Sequence, residues 1–175
     1  LIEIIKKDKK NFKIELLTAD TNYREILKQA KILNVKNIII TNKKSYLELK
    51  KKKFKNINIF NNFNCFKNIF KKKIDYVMSS ISGIYGLEPT MNIIKYTKKI
   101  AIANKEAIIC GWHLIKKNID KYKTSFIPVD SEHFSIFYAL NGNNVSNIEK
   151  IYLTASGGPF NNISKKKFKS IKISE

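Results

Sequence analysis

Phe12-Lys13-Ile14-Glu15-Leu16-Leu17-Thr18-Ala19 alternates for most of its length and then breaks at Asp20-Thr21-Asn22. That spacing predicts a strand, and the polar break offers caps for a helix over Tyr23 to Leu33, where Ile26, Leu27, Ala30 and Leu33 share one face. The next apolar run, Asn37-Ile38-Ile39-Ile40, does not alternate. A strand that is apolar on both sides is buried on both faces, as in parallel sheets covered by helices.

The same step recurs outward from this stretch. A helix is predicted from Ser45, with Ser45 as its cap, and its end at Lys50 to Lys53 places cations where the macrodipole favours them. Ile57-Asn58-Ile59-Phe60 predicts the next strand. In Asn61 to Lys73, Phe63, Phe66, Ile69 and Phe70 keep helical spacing among helix-weakening asparagines. Further strands are predicted at Ile74 to Ser79, Lys99 to Ala103, Ser125 to Val129 and Lys150 to Ala155, and helices at Leu87 to Tyr96, Ala107 to Ile119 and Ser131 to Leu140. Leu1 to Lys10 reads as the last turns of a helix. The fold class expected is α/β, a Rossmann-type doubly wound parallel sheet over residues 1–130, followed over 131–175 by the start of an α+β catalytic domain.

Charge is the loudest compositional signal, with 34 Lys+Arg against 14 Asp+Glu and a formal net of +20. A polyanion partner is one explanation. However, Arg24 is the sole arginine, the lysines are scattered, and the excess of Asn, Ile and Lys is what AT-rich codons produce. We therefore expect no specific nucleic-acid partner, only nonspecific attraction at low salt. No run approaches the roughly 18 apolar residues of a membrane span, and no membrane partner is expected. The start, Leu1-Ile2-Glu3-Ile4-Ile5-Lys6-Lys7, is unlike a secretory leader, and the lack of an initiator Met leads us to expect a longer protein. Cys65 and Cys110 have no CxxC spacing, so a reducing compartment is expected, with Cys110 a small buried hydrophobe in Ala107-Ile108-Ile109-Cys110.

Chemistry-bearing residues gather where strands end. Pro128-Val129-Asp130-Ser131-Glu132-His133 follows an apolar strand and leads into an apolar helix. Asp130 and Glu132 are hard oxygen donors able to converge on a divalent cation, or simply a charged helix start. Ser131 is either the helix cap or a substrate contact. Asn104-Lys105-Glu106 puts a cation at a strand end, where parallel sheets bind anions, or else forms a solvated helix start. Ser156-Gly157-Gly158 is a phosphate nest or a turn before Pro159. Gly83 and Gly86 allow close backbone approach or make a plain turn. His113 and His133 are expected to be structural, and Trp112 to be core or boundary packing.

Taken in order, Ala103-Asn104-Lys105-Glu106, Pro128-Val129-Asp130-Ser131-Glu132-His133 and Ser156-Gly157-Gly158-Pro159-Phe160 closely resemble the 1-deoxy-D-xylulose 5-phosphate reductoisomerase family. Gly86-Leu87-Glu88-Pro89-Thr90 resembles its GLLPT segment, and Phe12 to Asn22 its second strand and cofactor loop. The resemblance implies NADPH-dependent conversion of a phosphorylated sugar, 1-deoxy-D-xylulose 5-phosphate, to 2-C-methyl-D-erythritol 4-phosphate in non-mevalonate isoprenoid synthesis. It implies a divalent metal, Mn²⁺ or Mg²⁺, on Asp130 and Glu132, and catalytic roles for Lys105 and Glu132. Substrate contacts are implied for Lys105, Ser131, Glu132 and Ser156, and cofactor contacts for Asn22, Asn104 and Glu106. It further implies a homodimer at full length and a bacterial cytoplasmic or, less favoured, plastid-like setting.

The resemblance places the glycine-rich GxTGxxG loop ahead of Leu1, and the lid, a third metal carboxylate and further phosphate ligands beyond Glu175. Residues 1–175 alone are thus expected not to turn over. Where the family often has Gly-Lys before the cofactor-loop Asn, this chain has Asp20-Thr21, and an acid there opposes a 2′-phosphate. The competing readings are another Rossmann-fold NAD(P) oxidoreductase, which explains only the strand-helix repeat, and a basic nucleic-acid-binding module, which explains only the charge.

Overall fold

Parallel pairing runs through the computed structural model, which describes residues 2–52, 54–152 and 163–171. The chain divides into two compact units, Leu1–Phe126 and Ile127–Glu175. In the first, a short helix α1 (Ile2–Lys7) precedes β1 (Leu17–Ala19), α2 (Tyr23–Ile32), β2 (Asn37–Ile40), α3 (Lys43–Lys51) and β3 (Asn58–Phe60). A 3-10 turn at Phe63–Cys65 and the single-turn α4 (Phe66–Ile69) lead to β4 (Ile74–Ser79), α5 (Leu87–Ile93), β5 (Thr97–Ile102) and α6 (Lys105–Tyr122). The strand β6 (Ser125–Pro128) carries the chain across the boundary into the second unit, which opens with α7 (Ser131–Leu140).

Among the described residues the strands form two three-stranded sheets, β1-β2-β3 and β4-β5-β6. In the first, Leu17 faces Ile38 and Ala19 faces Ile40, and Ile38 in turn faces Ile59, all in parallel register. In the second, β4 and β5 run parallel, with Val77 opposite Ile100 and Ser79 opposite Ile102. The parallel α/β architecture holds, though as two sheets rather than one. Phe12 to Leu16 is not strand, and β1 pairs with β2 over Leu17–Ala19 alone. A side chain takes over there, Asn37 Nδ2 donating to the Glu15 carbonyl at 3.0 Å.

Helices cover both faces of the first sheet. Ile38 and Ile40 pack against Ile26 and Ala30 of α2 and Leu49 of α3, while Ile39 between them faces a second cluster with Phe66, Phe70, Ile94, Ile100, Ile102 and Ile115. All three isoleucines are fully buried, worth about 1.5–3 kcal/mol each by area. Phe66, Phe70 and Tyr96 interlock with ring centroids about 6 Å apart, so the asparagine-rich stretch keeps its apolar face at work.

Local chemistry sets the starts of α3 and α6 earlier than the expected Ser45 and Ala107. Asn42, not Ser45, caps α3, accepting from the Ser45 amide at 3.0 Å. α6 begins at Lys105 rather than Ala107, because Asn104 caps it. In the second unit Lys150 to Tyr152 carry no strand, and the remainder of that predicted strand lies outside the described residues, as does Ser156-Gly157-Gly158-Pro159-Phe160. Among the described residues no helix is long and apolar enough to cross a membrane.

Candidate active site

Each strand end delivers its candidates through a helix start. At the end of β1, Asn22 caps α2 by accepting from the Glu25 amide at 3.2 Å. Beside it the Asp20 carboxylate takes a hydrogen bond from the Thr41 hydroxyl at 2.6 Å. Asn22 and Asp20 are thereby held at the carboxyl edge of the first sheet, where open α/β folds bind ligands.

At the end of β5, Asn104 is buried, whereas Lys105 and Glu106, the first residues of α6, are exposed. Asn104 Oδ1 accepts from the Ala107 amide at 2.8 Å, and its Nδ2 donates to the carbonyls of Gly83, at 2.7 Å, and Ile81. A lysine in the first helical turn runs against the macrodipole.

In the second unit, α7 starts with the acidic group. Asp130, not Ser131, is the cap, its Oδ1 accepting from the His133 amide at 3.1 Å and pairing with His133 Nδ1 at 2.6 Å. Burial lifts the Asp130 carboxyl, but the hydrogen bonds from the His133 ring and amide and the ring's charge outweigh it and hold the group below its ordinary range. The Ser131 hydroxyl donates to Glu132 Oε2 at 2.8 Å, orienting that carboxylate. Sequence alone left His133 without a partner. The signal lay in its spacing three residues after a capping aspartate.

Asp130 and Glu132 thus sit in and just before one helical turn, two hard oxygen donors of the kind Mg²⁺ and Mn²⁺ prefer. They supply part of a coordination sphere; among the described residues no group of three or more His, Cys, Asp or Glu gathers. Residues that sequence reasoning missed are the buried Ser79 and Thr90, which bond to one another and, through Thr90, to the Gly86 carbonyl, while Gly86 packs against Asn104. The Gly-Leu-Glu-Pro-Thr stretch was their only trace.

With this geometry in place, comparison with known proteins is specific. The family model for 1-deoxy-D-xylulose 5-phosphate reductoisomerase matches residues 1–111, and that for the C-terminal domain of the same enzyme matches 126–175. The 1-deoxy-D-xylulose 5-phosphate reductoisomerase of Pelagibacter ubique is 58% identical over the whole chain, and that of Clostridium tetani 34% identical over 99% of it. The chain spans 46% of each of these relatives, about half their length. Among solved structures, the Zymomonas mobilis enzyme in complex with NADPH superposes with a TM-score of 0.79 at 29% identity, covering 93% of this chain and 43% of that one. A reductoisomerase in complex with NADPH, fosmidomycin and magnesium gives 0.75 at 26% identity, over 98% of this chain and 45% of that one. The parallel α/β unit, the capped Asp130-Ser131-Glu132 turn and these matches together show that the chain belongs to the 1-deoxy-D-xylulose 5-phosphate reductoisomerase family.

Proposed function

We propose that this chain is part of an enzyme that reductively isomerises 1-deoxy-D-xylulose 5-phosphate to 2-C-methyl-D-erythritol 4-phosphate with NADPH. The observation that carries the reading is the Asp130-Ser131-Glu132 turn at the head of α7, in a chain whose family models match residues 1–111 and 126–175. Residues 1–130 serve the cofactor and residues 131–175 open the catalytic domain. β1 and β4 are end strands of their sheets, and a preceding strand with the glycine-rich loop would join such edges into one doubly wound sheet.

In this reading Asp130 and Glu132 would hold the divalent metal, whose charge would polarise the hydroxyketone oxygens. Ser131 meets the substrate while keeping Glu132 oriented. Lys105 presents its ammonium to the anionic substrate from the first turn of α6, and Ser156 takes the phosphate. Asn22, Asn104 and Glu106 line the cofactor side. Asp20, held by Thr41, contributes nothing to 2′-phosphate binding, so the preference for NADPH rests on other groups. The relatives are bacterial, which supports a bacterial cytoplasmic setting, and the full-length enzyme works as a homodimer.

The test is NADPH oxidation by the full-length protein with deoxyxylulose phosphate and Mn²⁺, repeated with Asp130→Asn and Glu132→Gln. Both variants are expected to lose at least about a hundredfold in kcat/KM, as when a charge stabilising the transition state is removed. Turnover like wild type in either one rules out the metal assignment.

A further inference from the structure

We propose that Asn104 is a positioning residue, the centre of a buried clamp with Ser79, Gly86 and Thr90. The clamp sets the 80–86 loop and the first turn of α6 in one fixed relation, and through them Lys105 and Glu106. The inference rests on the functional reading above for the roles of the residues it positions, and on geometry for the clamp itself.

Both donor hydrogens of the Asn104 amide are used, one on the Gly83 carbonyl and one on that of Ile81, and its oxygen holds the Ala107 amide. On the other side of the loop, Thr90 Oγ1 donates to the Gly86 carbonyl at 2.6 Å and lies 2.6 Å from Ser79 Oγ. A hydroxyl has one proton to give, so Ser79 is the donor to Thr90. Ser79, Thr90 and Asn104 are 7%, 1% and 3% exposed. Gly86 closes the circuit by contact. A Cβ there would fall 2.3 Å from Asn104 Nδ2 and 2.5 Å from the Ile81 carbonyl. The Ala103 amide, donating to the Ser79 carbonyl at 2.9 Å, ties the two strand ends beneath.

Moving the loop off Asn104 would leave its buried NH₂ without the Gly83 and Ile81 carbonyls, which ties the loop's position to the start of α6. What it presents is exposed: Ile84 and Tyr85 on the loop, 50% and 84% exposed, and Lys105 and Glu106 on the helix. The buried side is rigid so that the exposed side is preorganised.

The full-length enzyme tests this with Thr90→Val, which removes one hydroxyl at constant shape, and Asn104→Asp, which keeps the cap oxygen but sets a carboxylate against two carbonyls. Thr90→Ser serves as the conservative rescue and Ile115→Val as a core control of reduced stability. Both clamp variants should raise KM for NADPH about tenfold, and Asn104→Asp should also lower kcat about tenfold by shifting Lys105. Thr90→Ser should restore the wild-type constants, and Ile115→Val should lower Tm alone. Clamp variants that lose only Tm, with wild-type kcat and KM, overturn the positioning role. Amide exchange in the wild-type protein gives a readout independent of activity. The Gly86 and Ala107 amides should open with the same free energy, as one cooperative unit, and a Gly86 amide exchanging about a hundredfold faster overturns the clamp. A wild type that shows this joint protection but no NADPH turnover would sink the enzyme reading and leave the clamp standing.

Discussion

The two cysteines show how far a residue's chemistry follows from where its side chain ends up. Cys65 is buried beside Phe66, its Sγ donating to the Asn62 carbonyl at 3.2 Å, and burial pushes its thiol above the ordinary value against a smaller opposing pull from Cys65's own backbone. Cys110, expected to be the buried one, is exposed on α6, because Ala107 and Gly111 take the inward positions of that turn. A thiol-specific reagent should therefore label Cys110 promptly and Cys65 only on unfolding. The sign of the pH effect follows from linkage. The unfolded thiol ionises first, so Cys65 makes no difference below about pH 8.5 and the folded state loses stability as pH rises from there toward the raised folded value. Cys65→Ala should flatten that alkaline loss in a urea-melt series. Equal labelling rates for the two thiols would contradict the assignment.

At the scale of elements, α5 and α6 meet through an absence. Gly111 lies inside α6 with φ −134° and ψ 20°, a local break in an 18-residue helix. A Cβ at that position would sit 2.4 Å from Leu87 Cδ1 and 2.9 Å from Cδ2. The glycine lets the Leu87 side chain of α5 press onto the backbone of α6, six residues after Lys105. Gly111→Ala should destabilise by about 1–3 kcal/mol through overpacking. In a Leu87→Ala background the same change should be markedly cheaper, giving a coupling of about 1 kcal/mol or more in a double-mutant cycle of denaturant midpoints. Strict additivity would show that the two side chains do not share that space. The caps follow the same logic of reach. Asn42, Asn104 and Asp130 each stand where a side-chain oxygen meets the amide three residues on, which moved the starts of α3 and α6 and made Ser131 a helical residue rather than a cap.

For the whole molecule, the net charge of +20 sets behaviour that the site does not use. Lysine pairs such as Lys98 with Asp75 and Lys116 with Asp120 are exposed. The protein should bind double-stranded DNA at low salt without sequence preference and release it by about 0.2 M salt, as counterion release requires. Fluorescence anisotropy against salt concentration reads this directly. Affinity that survives physiological salt together with a sequence preference would revive the nucleic-acid reading.

The parallel α/β class was legible in the sequence because Ile38-Ile39-Ile40 is apolar on both sides, and its short length and β-branched residues suit a strand in a sheet covered on both faces. The candidate residues were legible because strand-end carboxylates, a lysine and glycines at fixed spacing are local facts of the chain. The tertiary structure decided what those residues spend their hydrogen bonds on. Cap choice depends on which oxygen reaches an amide, strand length on what the neighbouring strand can pair, and the placement of Cys110 on which face of α6 turns inward. The Ser79-Thr90-Gly86-Asn104 clamp joins positions up to 25 residues apart, from 79 to 104. No local pattern encodes it, because its bonds exist only once β4, α5, β5 and α6 have been packed around one loop.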